Sequence, residues 1–183
     1  MRSHRIVVYF LAGAEALFLA PSSRAQAPRA GARSAPTTPQ IDATLAQLMR
    51  GILFPASNII FAAQDKNPTD FPEAKDPSAA TDLLASTYGK WQAVENSALA
   101  IAESANLLRL PGRKCSNGIA VPIQNGDWPK LAQGLRDAGM AAYKAAQSKN
   151  QDKILDAADM LTTACANCHE KYREKPNLAD RCK

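Results

Sequence analysis

The sequence predicts an all-α fold, an up-down-up-down four-helix bundle. Three observations predict it. From Ile41 onward, apolar residues recur at steps of three and four, the spacing that lines one side of a helix. Four such stretches follow one another, and the first two gaps between them are rich in proline or glycine. No stretch shows a convincing period-two alternation of the kind that marks a strand.

The N-terminal region reads as an export signal and a linker. Arg2 and Arg5 precede an apolar run over 6–20, and small residues surround Ser23, Arg24 and Ala25. That is the basic, apolar and small-residue order of a secretory signal, too short to span a bilayer. Glu15 is atypical inside such a run. Cleavage after Ala25 fits the small-x-small rule and makes 1–25 the signal peptide; an uncleaved anchor is the alternative. Residues 26–40, rich in Pro, Ala, Ser and Thr, read as a disordered linker. No other segment reads as apolar enough to span a bilayer. The remainder, 41–183, is long enough for one domain with a sizeable core.

Charge excludes a nucleic-acid partner. Of the formal net charge of +5, two units fall in 1–25 and two in 26–40, leaving +1 for the domain. A basic footprint is missing.

In the first helix, Ile41, Leu45, Leu48 and Ile52 form the seam, and Pro55 is expected to break or kink it before 56–63 continue. The second helix is expected over 81–108, with Leu84, Tyr88, Trp91, Val94, Ala98, Ile101, Ala105 and Leu108 on one side. The third opens with Asp127 as N-cap and Pro129 in its first turn, and its stripe starts Trp128, Leu131, Leu135. The fourth starts near Asn150 and buries Ile154, Ala158, Leu161, Cys165, Cys168 and Tyr172.

Cys165-Ala166-Asn167-Cys168-His169 carries the chemistry. Cys-x-x-Cys-His is the spacing of a covalent haem site. On a helix the two thiols share a face, so each can add to a haem vinyl group, and the adjacent imidazole ligates iron. A redox dithiol is expected at a helix N-terminus, where a thiol pKa falls, whereas this pair is near a helix end. A zinc site needs four N/S ligands, and Cys115 and Cys182 form no second knuckle. The motif therefore predicts one haem c at one end of the bundle. Haem attachment of this kind happens outside the cytoplasm, so motif and signal together indicate a bacterial periplasm.

A secreted four-helix bundle with Cys165-Ala-Asn-Cys-His-Glu-Lys-Tyr-Arg173 closing its last helix resembles the cytochrome c′ family, the class II c-type cytochromes. The resemblance runs from about residue 41 to 175. It implies a haem among the helices and leaves a homodimer open. Family members often carry a basic residue four positions after the haem histidine, and Arg173 matches it. Arg173 could pair with a haem propionate, or could be a solvated cation favoured by the helix dipole.

Antiparallel order puts the start of the first helix, the end of the second and the start of the third beside the haem. Leu45, Met49, Ile52, Leu107, Leu108 and Trp128 are the expected walls. The only other histidine, His4, lies in the signal. Met160 shares the helix of His169, and Met140 faces away from its own helix's stripe. Met49, at the edge of the first stripe, is the remaining sulfur ligand. If it is core filler instead, Leu45 or Ile52 caps an open iron.

Nothing reads as a nucleophile and base, and Glu95 and Glu103 form no catalytic pair that can be placed, so an enzyme is not expected. The expected function is a single-haem electron carrier exchanging electrons with periplasmic redox proteins. The alternative is a five-coordinate haem protein binding nitric oxide or carbon monoxide. Membrane contact is expected only if the signal stays attached. Trp91, Trp128 and Tyr172 read as core.

The last expectation is a Cys115–Cys182 disulfide, since both follow helices that end at the haem side. An oxidising compartment favours pairing. Free thiols or a bridge between chains are the alternatives.

Overall fold

The computed structural model describes residues 39–182. The expected signal peptide, His4 and nearly all of the linker lie outside the described residues. Four helices fill the described part, with no strand among the described residues beyond an isolated Lys114–Ala120 bridge.

The first helix, α1, runs Leu45–Asp65. Thr44 starts it with a capping box: Gln47 N–H donates to the Thr44 hydroxyl, and the Gln47 side chain accepts from the Thr44 N–H. Ile41 therefore lies before the helix instead of inside it. Met49–Leu53 forms a π turn, and the Phe54 N–H donates to the Met49 carbonyl five residues back. Pro55 does not break the run. It sits in the first turn of the resumed α-helix Phe54–Asp65, a position proline accepts because its missing N–H removes little there. The wide turn shifts the core register. Leu45, Leu48, Leu53, Ala56, Ile60 and Ala63 are buried, so a step of five replaces the expected step to Ile52.

This helix is also apolar and long enough to cross a membrane, with mean hydropathy 1.3 over its most apolar window, contrary to expectation. Its apolar side packs on two other helices.

The second helix, α2, spans Lys90–Leu107 and starts nine residues later than expected. Before it, Asp82 accepts from the Leu84 N–H and the Ser86 hydroxyl donates to the Leu83 carbonyl, which holds Leu83–Ala85 in a 3-10 turn. Leu84 is buried as expected, but Tyr88 is 65% exposed. Gly89 then enters the helix where a Cβ would collide with the Leu84 and Ser86 carbonyls.

The third helix, α3, spans Trp128–Gln147, and the fourth, α4, spans Gln151–Tyr172 with Asn150 capping the Lys153 N–H. Packing joins α1 to α2, α2 to α3, α3 to α4, and α4 back to α1. The contacts of α2 with α3 and of α4 with α1 run in antiparallel sense. Trp128 Nε1 donates to the Leu108 carbonyl at 3.0 Å, while Gly139 lies against Ala98 and Ala102, further back along α2. Gln151 Nε2 donates to the Gln64 carbonyl at 3.1 Å, joining the start of α4 to the end of α1. Ile60, Val94, Ile101, Ile154 and Leu161 are fully buried between the helices. Burial of each such side chain contributes about 1.5–3 kcal/mol.

Candidate functional site

The last two turns of α4 present Cys165, Cys168, His169 and Tyr172 at spacings that share one side of a helix. Three polar contacts fix this end of α4. The Tyr172 hydroxyl donates to Asp127 Oδ1 at 2.8 Å and accepts from Asn125 Nδ2 at 3.2 Å. Lys171 Nζ reaches Asp127 Oδ2 at 2.5 Å. The Tyr172 ring also meets the Trp128 ring edge-on, with centroids 4.9 Å apart. Asp127 precedes α3 but gives its N-terminus no side-chain hydrogen bond. Its carboxylate is taken by Lys171 and Tyr172 instead, so the expected capping role is not what this side chain does.

These elements surround a cavity of about 440 Å³ lined mainly by apolar side chains. That volume lies in the range of pockets that hold small molecules and cofactors. Cys165, Cys168 and His169 line it, each half-buried, so the cysteines border the cavity and are not packed fully inside the core stripe. Of the expected walls, Leu45, Met49, Leu108 and Trp128 line it, whereas Ile52 and Leu107 do not. Leu53 takes the place of Ile52, which the π turn directs to a separate groove with Pro55 and Tyr88. Met160 is 47% exposed and Met140 is not on the cavity wall. Trp91 belongs to the core, its Nε1 donating to Thr69 Oγ1 at 2.9 Å. Glu103 is paired with Arg136 at 3.3 Å.

Burial pushes the Cys165 thiol up, and pushes Cys168 up to about 11 with help from Cys165 and Asp127. Burial lowers His169, aided by Arg173 and opposed by Glu174. Near neutral pH the site therefore holds two protonated thiols and an uncharged imidazole. A redox dithiol needs the opposite, a depressed thiol pKa. Among the described residues, no group of three or more His, Cys, Asp or Glu side chains could hold a metal ion.

Cys115 and Cys182 stand at disulfide distance, with Cα atoms 5.0 Å apart. Cys182 lines the cavity, as do Arg50, Arg173 and Arg181. Arg50 and Arg181 were not legible as site residues. Arg181 arrives through a contact 67 residues away in sequence, between its neighbour Cys182 and Cys115, and Arg50 follows Met49 in the π turn.

Comparison of the chain with family models, curated proteins and solved structures finds no match.

Proposed function

We propose that the chain is an exported c-type cytochrome, an up-down-up-down four-helix bundle carrying single electrons on one covalent haem c. The observation that carries this reading is the presence of Cys165, Cys168, His169 and Met49 on the wall of one apolar cavity. The residues fit the group. Two thiols three residues apart on a helix suit two vinyl groups, and an uncharged imidazole is the form that binds iron. The antiparallel contacts of α2 with α3 and of α4 with α1 support the bundle order.

When bound, haem supplies iron that gains and loses one electron. The chain's own side chains set how readily that happens. His169 would hold the iron through its imidazole, and Met49 would offer a thioether that raises the potential. Leu45, Leu53 and Leu108 keep the cavity apolar and limit water there. The Cys115–Cys182 pair suits an oxidising compartment, and with the signal it supports a periplasmic location. Periplasmic redox proteins are then the partners.

A second reading has a specific observation behind it. Leu45 and Leu53 flank Met49 on the wall, so if Met49 packs and does not ligate, an apolar face is left for nitric oxide or carbon monoxide. The visible spectrum separates the two: low-spin with a sharp reduced α band for the carrier, broad and high-spin for gas binding.

The haem itself is tested by producing the full chain in a host competent for c-type maturation. Haem should stay with the denatured protein through acid–acetone extraction, and haem that extracts cleanly sinks the proposal.

A further inference from the structure

Three arginines reach the cavity wall: Arg50 from α1, Arg173 just after α4, and Arg181 from the C-terminal tail. Their surroundings differ. Glu174 is the one carboxylate on that wall, and Arg173 Nε already meets it at 2.5 Å with its side chain 53% exposed. Arg50 is exposed, as Arg173 is, but has no carboxylate partner among the described residues; Arg181 is half-buried and held in place. Its Nε donates to the Lys175 carbonyl, and its own carbonyl accepts from Asn117 Nδ2 at 2.9 Å. The next residue, Cys182, donates its N–H to the Tyr172 carbonyl at 3.1 Å and is paired with Cys115. The tail around Leu178–Asp180 is thus a strap pinned to the loop before α3 and to the end of α4. Among the described residues, neither Arg181 nor Arg50 forms an ion pair with a carboxylate.

An apolar cavity whose wall carries two guanidinium groups without a direct ion pair, Arg181 standing only within Coulomb range of Glu174, suits an apolar body bearing two carboxylates. A guanidinium matches a carboxylate in shape, and one already held by its Nε loses little freedom when its Nη groups pair. We propose that Arg181, presented by the disulfide-pinned strap, and Arg50 hold the two propionates of the haem, and that Arg173 does not. This assignment rests on the cytochrome reading above and replaces the propionate partner that the motif resemblance suggests. Each arginine keeps its propionate ionised, which tunes the charge beside the iron. Unlike a contact within α4, the Arg181 contact depends on the covalent pairing of Cys115 with Cys182.

The test uses the mature holoprotein and the pH dependence of its midpoint potential, whose inflection reports propionate ionisation. The other ionisable groups on the wall are His169, Cys165, Cys168, Tyr172 and the Arg173–Glu174 pair. Arg181→Gln should raise the inflection by about one pH unit, since a paired cation lowers a carboxyl pKa by at least that much. Arg50→Gln should do the same for the second propionate, and Arg173→Gln should leave both unmoved. Asn117→Ala, which keeps the disulfide but loosens the strap, should move the inflection in the same direction as Arg181→Gln and by less. If Arg181→Gln misfolds by circular dichroism, Asn117→Ala and thiol reduction of the folded wild type read the same inflection. Holoprotein whose inflection ignores Arg181 or strap release, or follows Arg173 alone, overturns the clamp and leaves the cytochrome reading standing. Wild type without a pyridine haemochrome band overturns both.

Discussion

The Tyr172 hydroxyl donates to Asp127 across 2.8 Å, joining the last turn of α4 to the residue that precedes α3. Lys171 completes the contact at 2.5 Å. Hydrogen bonds from Lys171 first and Tyr172 second hold the Asp127 carboxyl below its ordinary value of 3.8. A carboxyl lowered on folding contributes stability that is fully present above 3.8 and is lost as pH falls through the folded value. Asp127→Asn should therefore reduce stability at neutral pH and show less acid sensitivity than wild type. Urea midpoints at pH 7 and near pH 3 check this; a gap between the two proteins that stays constant with pH rejects it.

Each haem thiol is expected to make its own thioether. Cys165→Ser and Cys168→Ser should each leave one bond, giving a haemochrome α band displaced to longer wavelength than in wild type. A variant with an undisplaced band would show that its cysteine was never attached.

Met49→Ala should turn a low-spin spectrum high-spin and lower the midpoint potential, because the thioether is lost. An unchanged spectrum assigns Met49 to packing and favours the gas-binding reading.

Two glycines of α3 should respond oppositely to alanine. A Cβ on Gly139 would stand 2.8 Å from the Ala102 nitrogen and 3.0 Å from the Ala98 carbonyl, both backbone atoms. Gly139→Ala should destabilise by about 1–3 kcal/mol as the helices are pushed apart. Gly134 has nothing within 4 Å, so Gly134→Ala should stabilise by up to about 1 kcal/mol through helix propensity. Denaturant unfolding of both variants measures the pair, and equal signs would refute the close α2–α3 approach.

Non-reducing peptide mapping should recover a linked Cys115–Cys182 fragment from monomeric protein. Removing both cysteines should cost up to about 4 kcal/mol in the chain-entropy model for a loop of this length. Alkylation of both thiols without reductant would reject the bridge.

The four helices were legible because each repeats its apolar residues over several turns, and the placing of Cys165, Cys168 and His169 on one side of the last helix was legible because their spacing is local. The misses come from contacts the sequence does not announce. Nothing in Met49-Arg-Gly-Ile-Leu53 marks a wide turn, so Ile52 was assigned the wall position that Leu53 holds. Asp127 has the composition of a cap, but Lys171 and Tyr172, more than forty residues on, take its carboxylate. At the second helix, periodicity carried the reading back through Leu84 and Tyr88. The competing signals were present in Asp82, Ser86 and Gly89, whose local hydrogen bonds and small size favour a turn.

The wide turn at Met49–Leu53 leaves α1 as two lengths of helix with different phase. One length carries Leu45 and Met49 at the cavity; the other carries Ile60 and Ala63 into the core. Losing a single residue between them, such as exposed Gly51, would rotate one length against the other by about 100°. The two faces could then no longer be satisfied together. Chain length at this one turn, independent of any side chain on the wall, therefore sets which way Met49 is aimed.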